Sequence, residues 1–173
     1  MSYKVLLSLD PSGSYEEGKG TTGYSVWQYN PDNSAYKLDH AGNIRAYNYS
    51  SQYEYFQAHI KLLDEVKPDV LIMEDYLLYA HKANQQIGSK METPQLIGLI
   101  KYECNNRNIE VVIQAAYEVK HRWTDKILAY KGIIYKSGNV YRDTNNKVVS
   151  RHSKDSIRHA MQYIYKRSKY GNR

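Results

Sequence analysis

Two short apolar runs that each end in a carboxylate constrain this chain most. Val5, Leu6, Leu7 and Leu9 lead directly into Asp10 and the breaker Pro11-Ser12-Gly13, and Val70, Leu71, Ile72 and Met73 lead into Glu74-Asp75. Runs of this length, apolar on both faces, belong to central strands of a sheet that is covered on both sides. An ionised carboxylate at the end of such a strand is costly unless it is paired, hydrogen-bonded or bound to a cation. Open α/β sheets place their sites at the C-terminal ends of their strands. On the first stretch alone a second reading stays open, in which Asp10 caps a turn through its side chain, as Asp-Pro sequences do.

The remaining elements follow from periodicity. After Asp10 comes a glycine-containing loop, Pro11 to Thr22, whose composition predicts mobility. Thr22 to Tyr29 alternates as a second strand, Pro31 to Ser34 supplies a turn, and Tyr36 to Tyr47 reads as a third strand with a turn or bulge near Gly42-Asn43. Ser50 to Val66 has helical spacing, with Ser50 or Ser51 as N-cap and Pro68 beyond its end. Tyr76 to Gly88 reads as an excursion into a helix from about Thr93 to Asn105, with Pro94 in its first turn and Leu96, Ile97, Leu99, Ile100 and Cys104 on its buried face. Glu110 to Gln114 is a fifth strand. Tyr117 to Tyr130 is helical in part, and Ile133 to Arg142 forms a hairpin around Lys136 to Asn139. Ser150 to Lys169 closes the chain as a helix with the stripe Ile157, Ala160, Met161, Ile164 and Tyr165, and Ser153 as its N-cap.

The 173 residues suit one domain, residues 1–173, and 42% hydrophobic content suffices for a core. A single cysteine, Cys104, without any Cys/His ligand spacing argues against disulfides and structural zinc. The opening MSYKVLL has no signal-peptide apolar region, and no run approaches the roughly 20 residues that span a bilayer, which leads to the expectation of an intracellular, cytoplasmic protein with no membrane partner. Ten Lys/Arg stand against 14 Asp/Glu up to Gln114, and 14 against four from Ala115 onward, so the two parts carry −4 and +10. A basic region of that size suits phosphates. The 19 tyrosines fit nucleic-acid contacts, and equally an AT-rich coding sequence.

His152 and Asp155, three residues apart, share a face near the start of the last helix. Its apolar stripe faces the sheet, so Asp155 can point along it toward the strand ends. Asp10, Glu74 and Asp155, with His152 beside them, would make a set of ligands for a hard cation such as magnesium or manganese, and their mutual repulsion would be unfavourable without one.

The order strand-strand-strand-helix-strand-helix-strand-helix is that of the ribonuclease H fold: an α/β architecture with a mixed five-stranded sheet, three antiparallel strands then two parallel, flanked by helices. Leu7 to Ser25 (LSLDPSG...GTTGYS) resembles the opening of RuvC-type Holliday junction resolvases, Asp69 to Leu78 (DVLIMEDYLL) is similar to their second motif, Gln95 to Gly98 lies in a helix like the one that follows there, and His152 to Ile157 (HSKDSI) resembles their closing motif. The resemblance runs in order through nearly the whole chain. Departures are the extra residues between Pro11 and Gly20, His152 where many members have Asp, and the unmatched 133–142 hairpin, which together suggest a diverged, phage-like member in a bacterial host.

The resemblance implies phosphodiester hydrolysis with two divalent ions about 4 Å apart, Asp10 shared between them, Glu74 and Asp155 at the sides and His152 assisting. It implies a crossover junction endodeoxyribonuclease of DNA recombination and repair, acting as a homodimer on four-way junctions and other branched DNA. Candidate DNA contacts are Tyr76, for stacking or for packing under its own loop, and Lys82, Lys90, Lys120, Arg122, Lys126, Arg151, Lys154 and Arg158 as a group. Competing readings are a nuclease of the same fold acting on RNA:DNA hybrid, flaps or packaging DNA, and a catalytically silent branched-DNA-binding protein, motivated by His152.

Overall fold

The computed structural model describes residues 3–16, 18–76 and 90–171. A five-stranded sheet has the order β3-β2-β1-β4-β5, formed by β1 (Lys4–Asp10), β2 (Thr21–Tyr29), β3 (Tyr36–Arg45), β4 (Val70–Glu74) and β5 (Glu110–Gln114). The first three strands pair antiparallel, and β4 joins β1 and β5 in parallel, which is the mixed sheet expected. α1 (Gln52–Val66) and α2 (Glu92–Asn106) cover one face and α5 (Arg151–Tyr170) the other, with the short α3 (Ala116–Lys120) and α4 (Asp125–Tyr130) beside α5.

The apolar runs explain this layering. Leu7, Leu9, Leu71 and Met73 pack toward α1 and α2, while Leu6, Val70 and Ile72 pack toward α5, so both central strands are fully enclosed. Period-two alternation then puts Asp10 and Glu74 on the α5 face. Leu9 pairs with Met73, so the two carboxylates follow at the same level of neighbouring strands.

Two local expectations are corrected and a third is extended. The irregularity in β3 lies at Asp39, because Val26 pairs with His40 and Trp27 with Leu38; Gly42 instead keeps a flat register and leaves room for the Tyr24 ring, whose hydroxyl would stand 2.5 Å from a Cβ there. The last helix is capped by Ser150, which accepts from the Ser153 amide, while the Ser153 hydroxyl is buried and donates to the Gly42 carbonyl at 2.9 Å. The hairpin expected over 133–142 is present as β6 (Ile134–Ser137) and β7 (Val140–Asp143), and a third strand, β8 (Val148–Val149), extends it into a sheet whose Ile134 and Val149 enter the same core as α5.

The loop after β1, expected to be mobile, is tied down over its described residues. The Ser12 amide donates to Thr22 Oγ1 at 3.1 Å, the Tyr55 hydroxyl donates to the Ser12 carbonyl, the Gly13 amide donates to Thr93 Oγ1 at 2.9 Å, and the Gly20 amide donates to the Ser14 carbonyl at 2.8 Å. Polar residues that composition assigns to solvent are here hydrogen-bonded to α1, α2 and β2. No helix among the described residues is long and apolar enough to cross a membrane.

Candidate active site

One cross-strand row builds the site. Asn43 pairs with Gly23, Gly23 with Asp10, and Glu74 with Gln114, so Asn43, Gly23, Asp10, Glu74 and Gln114 span all five strands at one level beneath the first half of α5. Each position receives the helix differently. Asn43 Oδ1 accepts from the Ser150 hydroxyl at 2.7 Å and the Ser153 hydroxyl at 3.1 Å. Gly23 lets the backbones touch: a Cβ there would lie 2.0 Å from the His152 carbonyl carbon and 2.5 Å from the Ser153 nitrogen. Asp10 Oδ2 accepts from His152 Nδ1 at 2.9 Å. Glu74 Oε2 lies 3.1 Å from His159 Nε2, and His159 Nδ1 lies 3.0 Å from Gln114 Oε1.

The electrostatics follow from this placement. Burial pushes the Asp10 carboxyl above the usual range; the His152 hydrogen bond opposes that, while the charges of Glu74 and Asp155 add to it. Asp10 therefore senses both other carboxylates. The hydrogen bond to Asp10 draws the His152 imidazole upward against its partial burial. Glu74 is also pushed up by burial, but the hydrogen bond and charge of His159, with Lys120 nearby, outweigh this and hold it below the usual range.

Asp155 is buried and held by an ion pair with Arg158, one turn further along α5. Among the described residues no group of three His, Cys, Asp or Glu side chains stands close enough together to enclose a metal ion. The donor chemistry nonetheless suits a hard divalent cation, because the charges of two further carboxylates, Glu74 and Asp155, add to the rise that burial causes at Asp10. Ligation by Asp155 would require it to release Arg158.

The DNA-contact candidates divide. Lys120, Arg122, Lys126 and Arg151 are exposed, with the Arg122 guanidinium 4.5 Å from the centre of the Tyr165 ring. Lys154 and Arg158 are turned inward onto Asp125, Lys154 at 2.7 Å, and Arg158 also reaches Asp155 and the Trp123 carbonyl. Lys90 is exposed and pairs with Glu16. Tyr76 is half-buried against the α1 and α2 core, and Lys82 lies outside the described residues. Sequence reasoning missed His159 and Gln114. Their signals were present, since Gln114 ends β5 as Asp10 and Glu74 end their strands, and His159 continues the face of His152 and Asp155.

No protein-family model matches the sequence, and no curated protein is similar to it at the level of sequence. Solved structures are similar in fold. RuvC of T. thermophilus, in complex with a Holliday junction substrate, superposes with a TM-score of 0.64 over 95% of this chain and 96% of that one, at 13% identity. The Fowlpox virus resolvase in complex with Holliday junction DNA gives 0.53 over 93% and 97% at 16% identity, and the Fowlpox virus Holliday junction resolvase gives 0.54 over 93% and 98% at 14%. The chain shares the fold of these Holliday junction resolvases.

Proposed function

We propose that this chain is a divalent-metal-dependent DNA endonuclease that resolves four-way junctions, and that Asp10, Glu74 and Asp155 with His152 hold its magnesium or manganese ions. The observation that carries the reading is the level row of Asp10 and Glu74 beneath α5, in which Asp10 is raised first by burial and then by the charges of Glu74 and Asp155. A hard cation would relieve that repulsion. The fold shared with junction-bound resolvases supports the choice of substrate.

When bound, the ions would supply Lewis-acid stabilisation of the charge that develops on the phosphate and the departing 3′ oxygen. This chain's residues do the rest. His152 orients Asp10 through Nδ1, and His159 orients Glu74 while Gln114 fixes the far side of its ring. The enclosed ends of β1 and β4 give both carboxylates fixed main-chain anchors. A homodimer would present two such sites to the two symmetric strands of a junction.

The test is cleavage of a labelled synthetic four-way junction beside linear duplex, flap, hybrid and single-stranded controls, with magnesium or manganese and with Asp10→Asn in parallel. Paired symmetric nicks, lost in Asp10→Asn while that variant melts no lower than the parent, are expected. Full metal-dependent cleavage by Asp10→Asn would overturn the site, and equal cutting of flaps would move the substrate to branched DNA in general.

A further inference from the structure

The sheet β6-β8 carries an exposed charge pattern that the site does not use. Between Lys126 and Val149 the only carboxylate is Asp143, which is fully buried and whose Oδ1 accepts from the Asn145 and Lys147 amides at 2.9 Å each. The neighbouring Asp125 is neutralised by Lys154 and Arg158. What remains outside is cationic: Lys126, Lys131, Lys136 and Lys147 are exposed and Arg142 half-exposed, and none of the five has an ion-pair partner among the described residues.

Strand register gives this sheet two faces. Ile134, Asp143 and Val149 are buried, so their face meets the core. The other carries a cross-strand row in which Tyr135 pairs with Arg142 and Arg142 with Val148. Asn146, in a left-handed turn with φ 63°, fixes that row: Tyr135 Oη donates to its Oδ1 at 2.6 Å and Arg142 donates to its carbonyl at 2.8 Å. Lys131 precedes β6, Lys136 stands near the hairpin tip, and Lys147 sits in the turn before β8, so cations occupy three corners of the sheet.

The sheet is fixed relative to the site. β8 runs through Ser150 into α5, where His152 is the second residue. The Lys154 ammonium lies 4.6 Å from the centre of the Tyr141 ring on β7, and Asn145 Nδ2 donates to the Asp39 carbonyl on β3 at 2.6 Å.

We infer that the β6-β8 sheet is a backbone-gripping wing that takes the phosphates of a duplex arm flanking the strand cut at the Asp10-Glu74 site. Long lysines at separate corners reach phosphates from many angles and carry no base information, which suits positioning of a duplex. This rests on the junction-nuclease reading.

The test measures binding of Asp10→Asn to an uncleaved four-way junction across a range of salt, then repeats it with Lys131, Lys136 and Lys147 changed together to Gln. Each phosphate contact contributes about 0.9 to the slope of log affinity against log salt, so the triple variant should lose about 2 to 3 units of slope. A control triple on other surfaces, Lys37, Lys61 and Lys101 to Gln, should keep the parent slope. An unchanged slope in the wing variant, or an equal loss in the control, overturns the wing. Failure of the parent to bind any junction at low salt sinks the junction reading instead, which separates the two.

Discussion

Two fully enclosed histidines sit on opposite faces of the same sheet, His59 under the loop after Asp10 and His159 on α5 over Glu74, each 1% exposed. His59 Nδ1 donates to the Tyr55 carbonyl at 2.9 Å, so its Nε2 accepts from the Thr22 hydroxyl at 2.8 Å. All its partners are neutral, and burial holds it down at about 4. His159 meets Glu74 and Gln114 at the same depth. Equal burial thus leaves one histidine a clamp for a loop and gives the other a carboxylate to aim. The chemical character of a buried histidine follows from what it faces.

The contrast is sharpest in acid. The folded chain keeps His59 neutral down to about pH 4, while the unfolded chain takes up its proton near 6.5. The unfolded state therefore binds more protons in that window. The contribution of His59 is complete above pH 6.5 and falls away by about 3 kcal/mol as pH drops to 4. Denaturant melts across this range should flatten in His59→Leu. The raised Asp10 works in the opposite direction, so the series is run in Asp10→Asn. An unchanged pH slope in His59→Leu would break the assignment of His59 as a neutral clamp.

Removing His159 should be felt in chemistry. In His159→Leu, Glu74 loses its hydrogen bond and burial acts unopposed by it. Loss of such an outer partner typically costs 10- to 100-fold in metal affinity or activity. Manganese titration by calorimetry and junction cleavage should both fall by that factor in His159→Leu, and both should persist per folded molecule in His59→Leu. Equal losses in the two variants would erase the distinction. The smallest effect is expected from Tyr55→Phe, which removes the hydroxyl bound to the Ser12 carbonyl. It should cost about 1 kcal/mol in chemical denaturation and leave cleavage in place.

The carboxylate-bearing strands were readable in the sequence because enclosed strands are written as apolar runs, broken in β1 only by Ser8, and Asp10 and Glu74 end those runs. Where a signal depends on distant partners, the reading failed. Ser150 and Ser153 are equally good caps in isolation, and the choice falls to Ser150 because Gly42 and Asn43 offer acceptors to a buried Ser153. β8 is two residues long and shows no period, so it exists only through its pairing with β7. His159 continues the face of His152 and Asp155 but also lies within a stripe of core residues, so its spacing marks its face and leaves its role to the partners Glu74 and Gln114.

Gly23 has a consequence for how this architecture can change over time. The spacing between Asp10 and His152 is set where the main chain of β2 meets the main chain of α5, with no side chain between them. The ruler is made of peptide groups, which every sequence shares. Substitutions throughout the surrounding core can alter volumes and rotamers without lengthening it, so long as position 23 stays bare. A chain built this way can drift far in sequence while the gap between its strand-end acid and its helix stays constant.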